Sequence, residues 1–306
     1  MGATTKLRGV IPPLVTPLTL EGGVDVRSLS RLIGFLLESG VSGVFVLGST
    51  GEGANLPLSL KAEVAAAAVE SVGGRVPVLG GALSPSTTHA VETARMLQRV
   101  GVDAVVLTAP YYYSCTDKEL EAHFKEVREA IDLPLMAYDV PAHVGLSLGL
   151  DLLFSLHEEG IIQGIKDSSG DFSRLRKLLL FRDPSLKVFV GTEEWADMAL
   201  LAGADGVIPG LANVLPEEYL KVFDHASNHD LERARQAQER ILKVLQLMDL
   251  LEGSFTRKAL GLFKILLWHL GVIHSYTLTA PLEPLNDSEV NCLVQKAKEI
   301  GFPCLS

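Results

Sequence analysis

Eight short runs of apolar, mostly β-branched residues recur along the chain, spaced roughly thirty residues apart, about the length of one strand-plus-helix unit. The runs are Val10–Val15, Val44–Leu47, Val76–Leu79, Ala104–Leu107, Leu133–Ala137, Ile161–Ile165, Val188–Val190 and Gly206–Ile208. Strands buried on both faces read as continuous apolar runs, and helical stretches between them imply parallel pairing. DVRSLSRLIGFLLESG carries Leu29, Leu32, Ile33 and Leu36 on one face and stops at Gly40. SPSTTHAVETARMLQRVG opens on capping residues and stops at Gly101. TDKELEAHFKEVREAI opens on a Thr-Asp cap, with acid in the first turn, where the helix dipole favours it. Eight such units suggest a closed (β/α)8 TIM barrel rather than an open sheet. After Leu215 the pattern is helical only. The predicted organisation is an α/β fold, with a catalytic barrel over residues 1–225 and a C-terminal helical bundle over 226–306 packed on it.

Composition narrows the partners. A formal net charge of -10 without any Lys/Arg cluster argues against nucleic acid and against an anionic membrane, since both select basic patches. Cys115, Cys292 and Cys304 are widely spaced and odd in number, so they form neither a disulfide framework nor a metal knuckle. The N-terminal MGATTKLRGVIPPLV has no signal-peptide core, and no run reaches membrane-spanning length. A cytoplasmic protein is therefore expected. Met1-Gly2 opens like a myristoylation site, but Lys6 stands where Ser or Thr is required. His225 and His229 are spaced i,i+4, but DHASNHD reads as a helix end and a loop. No metal is expected.

In a barrel of this kind the chemistry sits at the C-terminal strand ends. Those ends carry Ser49-Thr50-Gly51-Glu52, Pro110-Tyr111-Tyr112-Tyr113, Tyr138-Asp139-Val140-Pro141, Lys166-Asp167-Ser168-Ser169, Gly191-Thr192-Glu193-Glu194 and Pro209-Gly210. Lys166 follows the apolar IIQGI without a break. Desolvation there disfavours the ammonium form, and a neutral amine attacks a ketone to form a Schiff base. Position alone leaves a second reading, a lysine paired with Asp167 or another rim acid. Tyr138 closes LPLMAY one strand away; its phenol is either a proton shuttle beside the imine or an amphipathic plug.

Taken together, GSTGE after the second run, PYYY after the fourth, YDVP at the fifth and GIKD at the sixth resemble the dihydrodipicolinate synthase / N-acetylneuraminate lyase superfamily of pyruvate-dependent Schiff-base aldolases and lyases. The resemblance runs from GVIPPLVTPL through GADGVIPGLANVLPE into the helical tail. It implies a barrel with a C-terminal helical bundle, in a homotetramer of two tight dimers. By that resemblance Lys166 is the Schiff-base lysine, so that no separate cofactor is needed, and Tyr138 is the proton donor and acceptor. Ser49 relays protons to Tyr138, and Tyr112 joins the relay across the dimer interface. Thr50, with the backbone of Gly48 and Gly51, holds the pyruvate carboxylate, and Gly191 and Ile208 line the pocket near the lysine. The opening loop then reads as a cradle: glycines turn N–H groups toward an anion, hydroxyls add donors, and a helix N-terminus follows. Glu52, repelled by a bound carboxylate, is expected to tie the loop down instead.

One position departs from the family pattern. Where the synthases carry an arginine that grips the second substrate's carboxylate, this chain has His143, which lacks the bidentate fork. Glu193 and Glu194 stand where sialic-acid lyases bind sugar hydroxyls, or else occupy a helix first turn. The expected activity is cleavage (or formation) of a hydroxylated 2-oxo-3-deoxy acid to (or from) pyruvate and an aldehyde. Dihydrodipicolinate synthesis and a non-catalytic 2-oxo-acid binder are the alternatives. A phosphate-binding isomerase using Gly191 and Gly210 would leave Lys166 and Tyr138 without a role. Cys115 is read as incidental, and the stripe Leu260, Phe263, Leu267 and Leu270 as packing.

Overall fold

In the computed structural model, which describes residues 7–303, eight parallel strands form one sheet ordered β1-β8-β7-β6-β5-β4-β3-β2. They are β1 (Gly9–Val10), β2 (Val44–Val46), β3 (Val78–Gly81), β4 (Ala104–Thr108), β5 (Leu135–Asp139), β6 (Gly164–Asp167), β7 (Lys187–Val190) and β8 (Gly206–Val207). A parallel bridge between Pro13 and Phe45 joins the two ends of that order and closes the barrel. Asn213 secures the same seam. Its Nδ2 donates to the carbonyls of Pro13 (2.7 Å) and Gly210 (2.8 Å), and its Oδ1 accepts from Val15 N–H at 3.1 Å. The TIM barrel is therefore present.

Outside the sheet lie α1 (Val26–Ser39), α2 (Leu58–Val72), α3 (Thr87–Val100), α4 (Asp117–Glu129), the single turn α5 (Pro141–Val144), α6 (Leu150–Glu158), α7 (Phe172–Phe181), α8 (Ala196–Leu201) and α9 (Pro216–Ser227). Three more helices follow: α10 (Leu231–Leu245), α11 (Phe255–His269) and α12 (Asp287–Glu299). Their starts are chemically marked. Asp25, Ser86, Thr116, Asp171, Asp230, Ser254 and Asn286 each accept from an amide three residues on, which satisfies an otherwise orphaned donor. Helix α10 packs along α9 and α8, and α9 packs against β1. Leu260, Phe263 and Leu267 of α11, and Leu270 just after it, are buried within the chain, as the packing reading of that stripe requires. His229 lies beyond the end of α9, so it shares no helix face with His225.

Several strands begin about two residues later than their apolar runs. Pro77 and Pro134 precede β3 and β5, and a proline cannot donate to the ladder. Pro12 and Pro13 likewise cut β1 to two ladder residues. Ile161 and Ile162 bond to Leu156 O at the end of α6 instead of entering β6. These shifts have a chemical consequence: Tyr138 and Lys166 lie inside the ladder and not beyond it. They are direct register partners across β5 and β6, and Thr108 pairs with Tyr138 across β4 and β5.

Among the described residues, no helix is long and apolar enough to cross a membrane. Met1, Gly2 and Lys6, on which the acylation reading rests, and Cys304 lie outside the described residues.

Candidate active site

Register places Lys166 and Tyr138 side by side on the inner face, and packing fixes how they meet. Lys166 is 4 % exposed. Its Nζ lies 4.4 Å from the centroid of the Tyr138 ring and 5.2 Å from that of Phe45. The two rings stack edge to face at 6.5 Å. Among the described residues Lys166 forms no ion pair; the reading in which it neutralises a rim acid does not hold, because Asp167 is taken by another partner.

That partner is Arg174 of α7. Its guanidinium spans two fully buried carboxylates, Asp167 through Nη1 and Asp139 through Nη2 at 2.9 Å, and donates to Leu148 O at 2.6 Å. Asp167 also accepts from Ser169 N–H (2.9 Å) and Ser169 O–H (2.7 Å). Asp139 accepts from Leu148 N–H (3.0 Å) and Ser147 O–H (2.8 Å). Burial raises the Asp139 carboxyl above its ordinary value, although Arg174 pulls the other way. Removing one member of such a network strands the others without water. We therefore expect Arg174→Met to destabilise the fold by about 3–5 kcal/mol, read as a lowered thermal midpoint. An unchanged midpoint would show that the two aspartates find other partners.

The loop after β2 departs from the cradle predicted for it. Its left-handed turns fall on Leu47 (φ 60°) and Glu52 (φ 55°), not on its glycines. Gly48 and Gly51 are required by crowding: an added Cβ would lie 2.6 Å from the Phe45 ring at Gly48, and 3.0 Å from Leu14 O and Leu47 N at Gly51. Nor does a helix follow directly, because α2 starts only after Pro57, and the residue before a proline resists the α conformation. What the loop does offer is Thr50 and Ser49 lining a cavity, with the amides of Ser49, Thr50 and Gly51 lacking an acceptor among the described residues. Ser49 Oγ lies 3.4 Å from Tyr138 Oη.

The cavity, about 330 Å³, opens at the C-terminal strand ends and contains Lys166, Tyr138, Gly191 and Ile208. Gly191 admits the lysine, since a Cβ there would stand 2.9 Å from Lys166 Cε and 2.1 Å from Ser168 Oγ. Phe255, Leu260 and Phe263 of α11 form the far wall, a contribution that the apolar stripe alone did not reveal. His143 sits on α5 at the mouth and also lines an adjoining cavity of about 320 Å³ that holds Tyr111 and Thr108. Crowding by the surrounding protein and then the charge of Lys166 hold its imidazole below the ordinary range. Thr108 Oγ1 is buried with no hydrogen-bond partner among the described residues. Tyr112 does not reach the cavity within one protomer. It is 75 % exposed and packs edge to face on Tyr113 at 4.9 Å.

Glu193 lines the cavity but is already engaged. Its Oε2 accepts from Tyr219 O–H at 2.6 Å and Leu211 N–H at 3.0 Å, and its own carbonyl accepts from Gln238. Glu193 precedes α8 and therefore does not occupy its first turn. Burial pushes its carboxyl up to about 7. A carboxyl raised in the folded state contributes stability below its unfolded value of 4.5, and that contribution is lost as pH rises through about 7. Relative to Glu193→Gln, the wild-type thermal midpoint should therefore fall across that window. A difference that does not vary with pH would contradict this.

Cys115 is partly buried, and burial followed by Glu119 raises its thiol above the usual value, the opposite of the lowering that activates a thiolate. Among the described residues no three His, Cys, Asp or Glu side chains gather as metal ligands.

A lysine and a tyrosine paired at the strand ends of a barrel are the groups that a class I lyase or aldolase, working through a lysine imine, requires. The family model described as "Dihydrodipicolinate synthetase family" matches residues 6–300. A 4-hydroxy-tetrahydrodipicolinate synthase of Caldicellulosiruptor bescii is 32% identical over 233 residues, 76% of this chain and 79% of that protein. The dihydrodipicolinate synthase of Bacteroides thetaiotaomicron superposes with a TM-score of 0.90 at 31% identity, covering 96% of this chain and 99% of the other. A prophage protein of the same family from E. coli K12, solved with pyruvate, gives 0.91 at 27% identity, covering 97% and 100%. The chain belongs to the dihydrodipicolinate synthetase family, whose members are pyruvate-dependent class I lyases and aldolases.

Proposed function

We propose that this enzyme cleaves, or forms, a hydroxylated 2-oxo-3-deoxy acid to or from pyruvate and an aldehyde, through an imine on Lys166 and without another cofactor. The observation that carries the choice of substrate is the cavity lining. It contains no arginine among the described residues, and beyond Lys166 it offers Ser168, Ser169, Thr192 and His143. Hydroxyls and a neutral imidazole suit a polyol chain; a second carboxylate would call for a guanidinium fork.

In this reading Lys166 Nζ adds to the C2 ketone and water leaves, giving a protonated imine. A base removes the C4 hydroxyl proton, the C3–C4 bond breaks, and its electron pair enters the imine as an enamine while the aldehyde departs. Protonation at C3 and hydrolysis release pyruvate and restore the amine. Tyr138 carries these protons in this reading, with Ser49 beside it, and Tyr112 of a second copy completes the relay in a homotetramer. The pyruvate carboxylate rests on Thr50 and the amides of residues 49–51. Glu52 stays clear of it, committed elsewhere.

The relatives' names support a second reading, condensation of pyruvate with aspartate semialdehyde. A panel of 2-oxo-3-deoxy sugar acids, assayed for pyruvate release, separates the two. Turnover of at least one sugar acid is expected. Failure of all of them alongside consumption of aspartate semialdehyde would establish the second reading.

A further inference from the structure

The most deeply buried ion pair among the described residues joins the loop after β2 to the helical extension. Lys264 of α11 and Glu52 of the β2 loop are 212 residues apart and 0% and 1% exposed. Lys264 Nζ also donates to Thr277 O at 2.7 Å, while Glu52 Oε2 accepts from Thr279 N–H at 2.6 Å. Asn55 adds a bond to Thr279 Oγ1 at 2.9 Å. Glu52 reaches this position with a left-handed backbone, which a non-glycine residue adopts only under constraint. Its own amide closes onto Ser49 O at 3.0 Å, and Gly53 N–H closes onto Gly48 O at 3.1 Å. Glu52 and Ser49 are thus tied through one backbone turn.

We propose that the Glu52–Lys264 pair is a positioning device through which helix α11 holds the Ser49 hydroxyl against Tyr138 for proton transfer. The relay contact needs such a device. At 3.4 Å, Ser49 Oγ···Tyr138 Oη lies beyond the usual O–H···O range, so the contact persists only where the loop keeps it. Apolar residues of similar volume would pack α11 on the loop at no loss of stability, but they would let it slide. A buried pair forbids sliding, since separation strands a charge. The two residues touch no substrate; they are positioning residues.

The proposal rests on the imine at Lys166, and the test separates the two. Two quantities are read from the same protein: pyruvate trapped on the enzyme by borohydride, by intact mass, and exchange of pyruvate methyl hydrogens for deuterium in D2O, by NMR. With pyruvate saturating and the reduction run to completion, trapping reads whether the imine forms on Lys166, whereas exchange also reads the rate of proton removal from it. In Glu52→Gln, which is isosteric and keeps an acceptor for Thr279, trapping should match wild type while exchange slows about ten- to a hundredfold, the scale on which a misplacement near 1 Å acts. Lys264→Met should behave alike; if it does not fold, Glu52→Gln decides. In a Ser49→Ala background, Glu52→Gln should add little, because the two share one pathway. An unchanged ratio of exchange to trapping, or full additivity with Ser49→Ala, would overturn the proposal. Absence of any adduct on the wild type would instead remove the imine reading beneath it.

Discussion

Replacing Lys166 with alanine should abolish covalent capture of pyruvate and lower turnover on the order of 10⁴-fold or more, the scale on which removal of a covalent nucleophile acts. The site leaves no substitute. Among the described residues Lys166 is the one lysine that lines the cavity, and the buried Lys264 is committed to Glu52 and Thr277. The lysine also has its energetic isolation from a neighbour. Asp167, the adjacent acid, is paired with Arg174 and forms no salt bridge with Lys166. Because the side chain is packed between two aromatic faces, truncation removes its function without unpairing any carboxylate. The fold should survive, with a thermal midpoint near that of wild type. Retention of even a few per cent of turnover by folded Lys166→Ala would point to chemistry that does not pass through an imine.

Tyr138→Phe carries the second largest effect. The ring remains against Phe45 and Lys166, so packing and pyruvate capture should persist. Only the hydroxyl beside Ser49 is lost. Positioned proton transfer is worth about 10²–10⁴-fold, and kcat should fall by that amount while KM for the 2-oxo acid changes little. The informative pattern is the split between capture and turnover. If the variant lost both together, Tyr138 would be a packing residue that sets the lysine's position; if it lost neither, protons would move by another route.

The arrangement of these two residues was legible in the sequence to an instructive depth. Parallel strands buried on both faces leave uninterrupted apolar runs, which is why eight units could be counted and why Lys166 and Tyr138 stood out at the ends of two adjacent ones. Their exact neighbour relation was not legible. The prolines before β3 and β5 and the isoleucines that finish α6 shift the ladders along the chain, and register is a property of two strands together. The β2 loop shows the same limit from another direction. Its glycines suggested backbone freedom, yet Leu47 and Glu52 take the left-handed turns, and the glycines make room for Phe45 and Leu14 O. Which residues must be small depends on what packs over them, and that comes from distant segments. Arg174, Tyr219 and Lys264 were silent for this reason. Each sits in an ordinary amphipathic helix, and its significance appears only when the fold brings it to Asp167, Glu193 or Glu52. The expected tie on Glu52 was readable from charge repulsion alone; its partner was not. His143, by contrast, was readable as a departure because it sits in a local motif, and the structure places it at the cavity mouth.

The central claim is that one amine, Lys166 Nζ, bonds to the keto carbon of pyruvate. The most direct measurement is borohydride reduction of the wild-type enzyme in the presence of pyruvate, followed by proteolysis and mass mapping of the modified peptide. The expected result is a single carboxyethyl group on Lys166. A fully folded protein that gains no mass, or gains it on a different lysine, would contradict it.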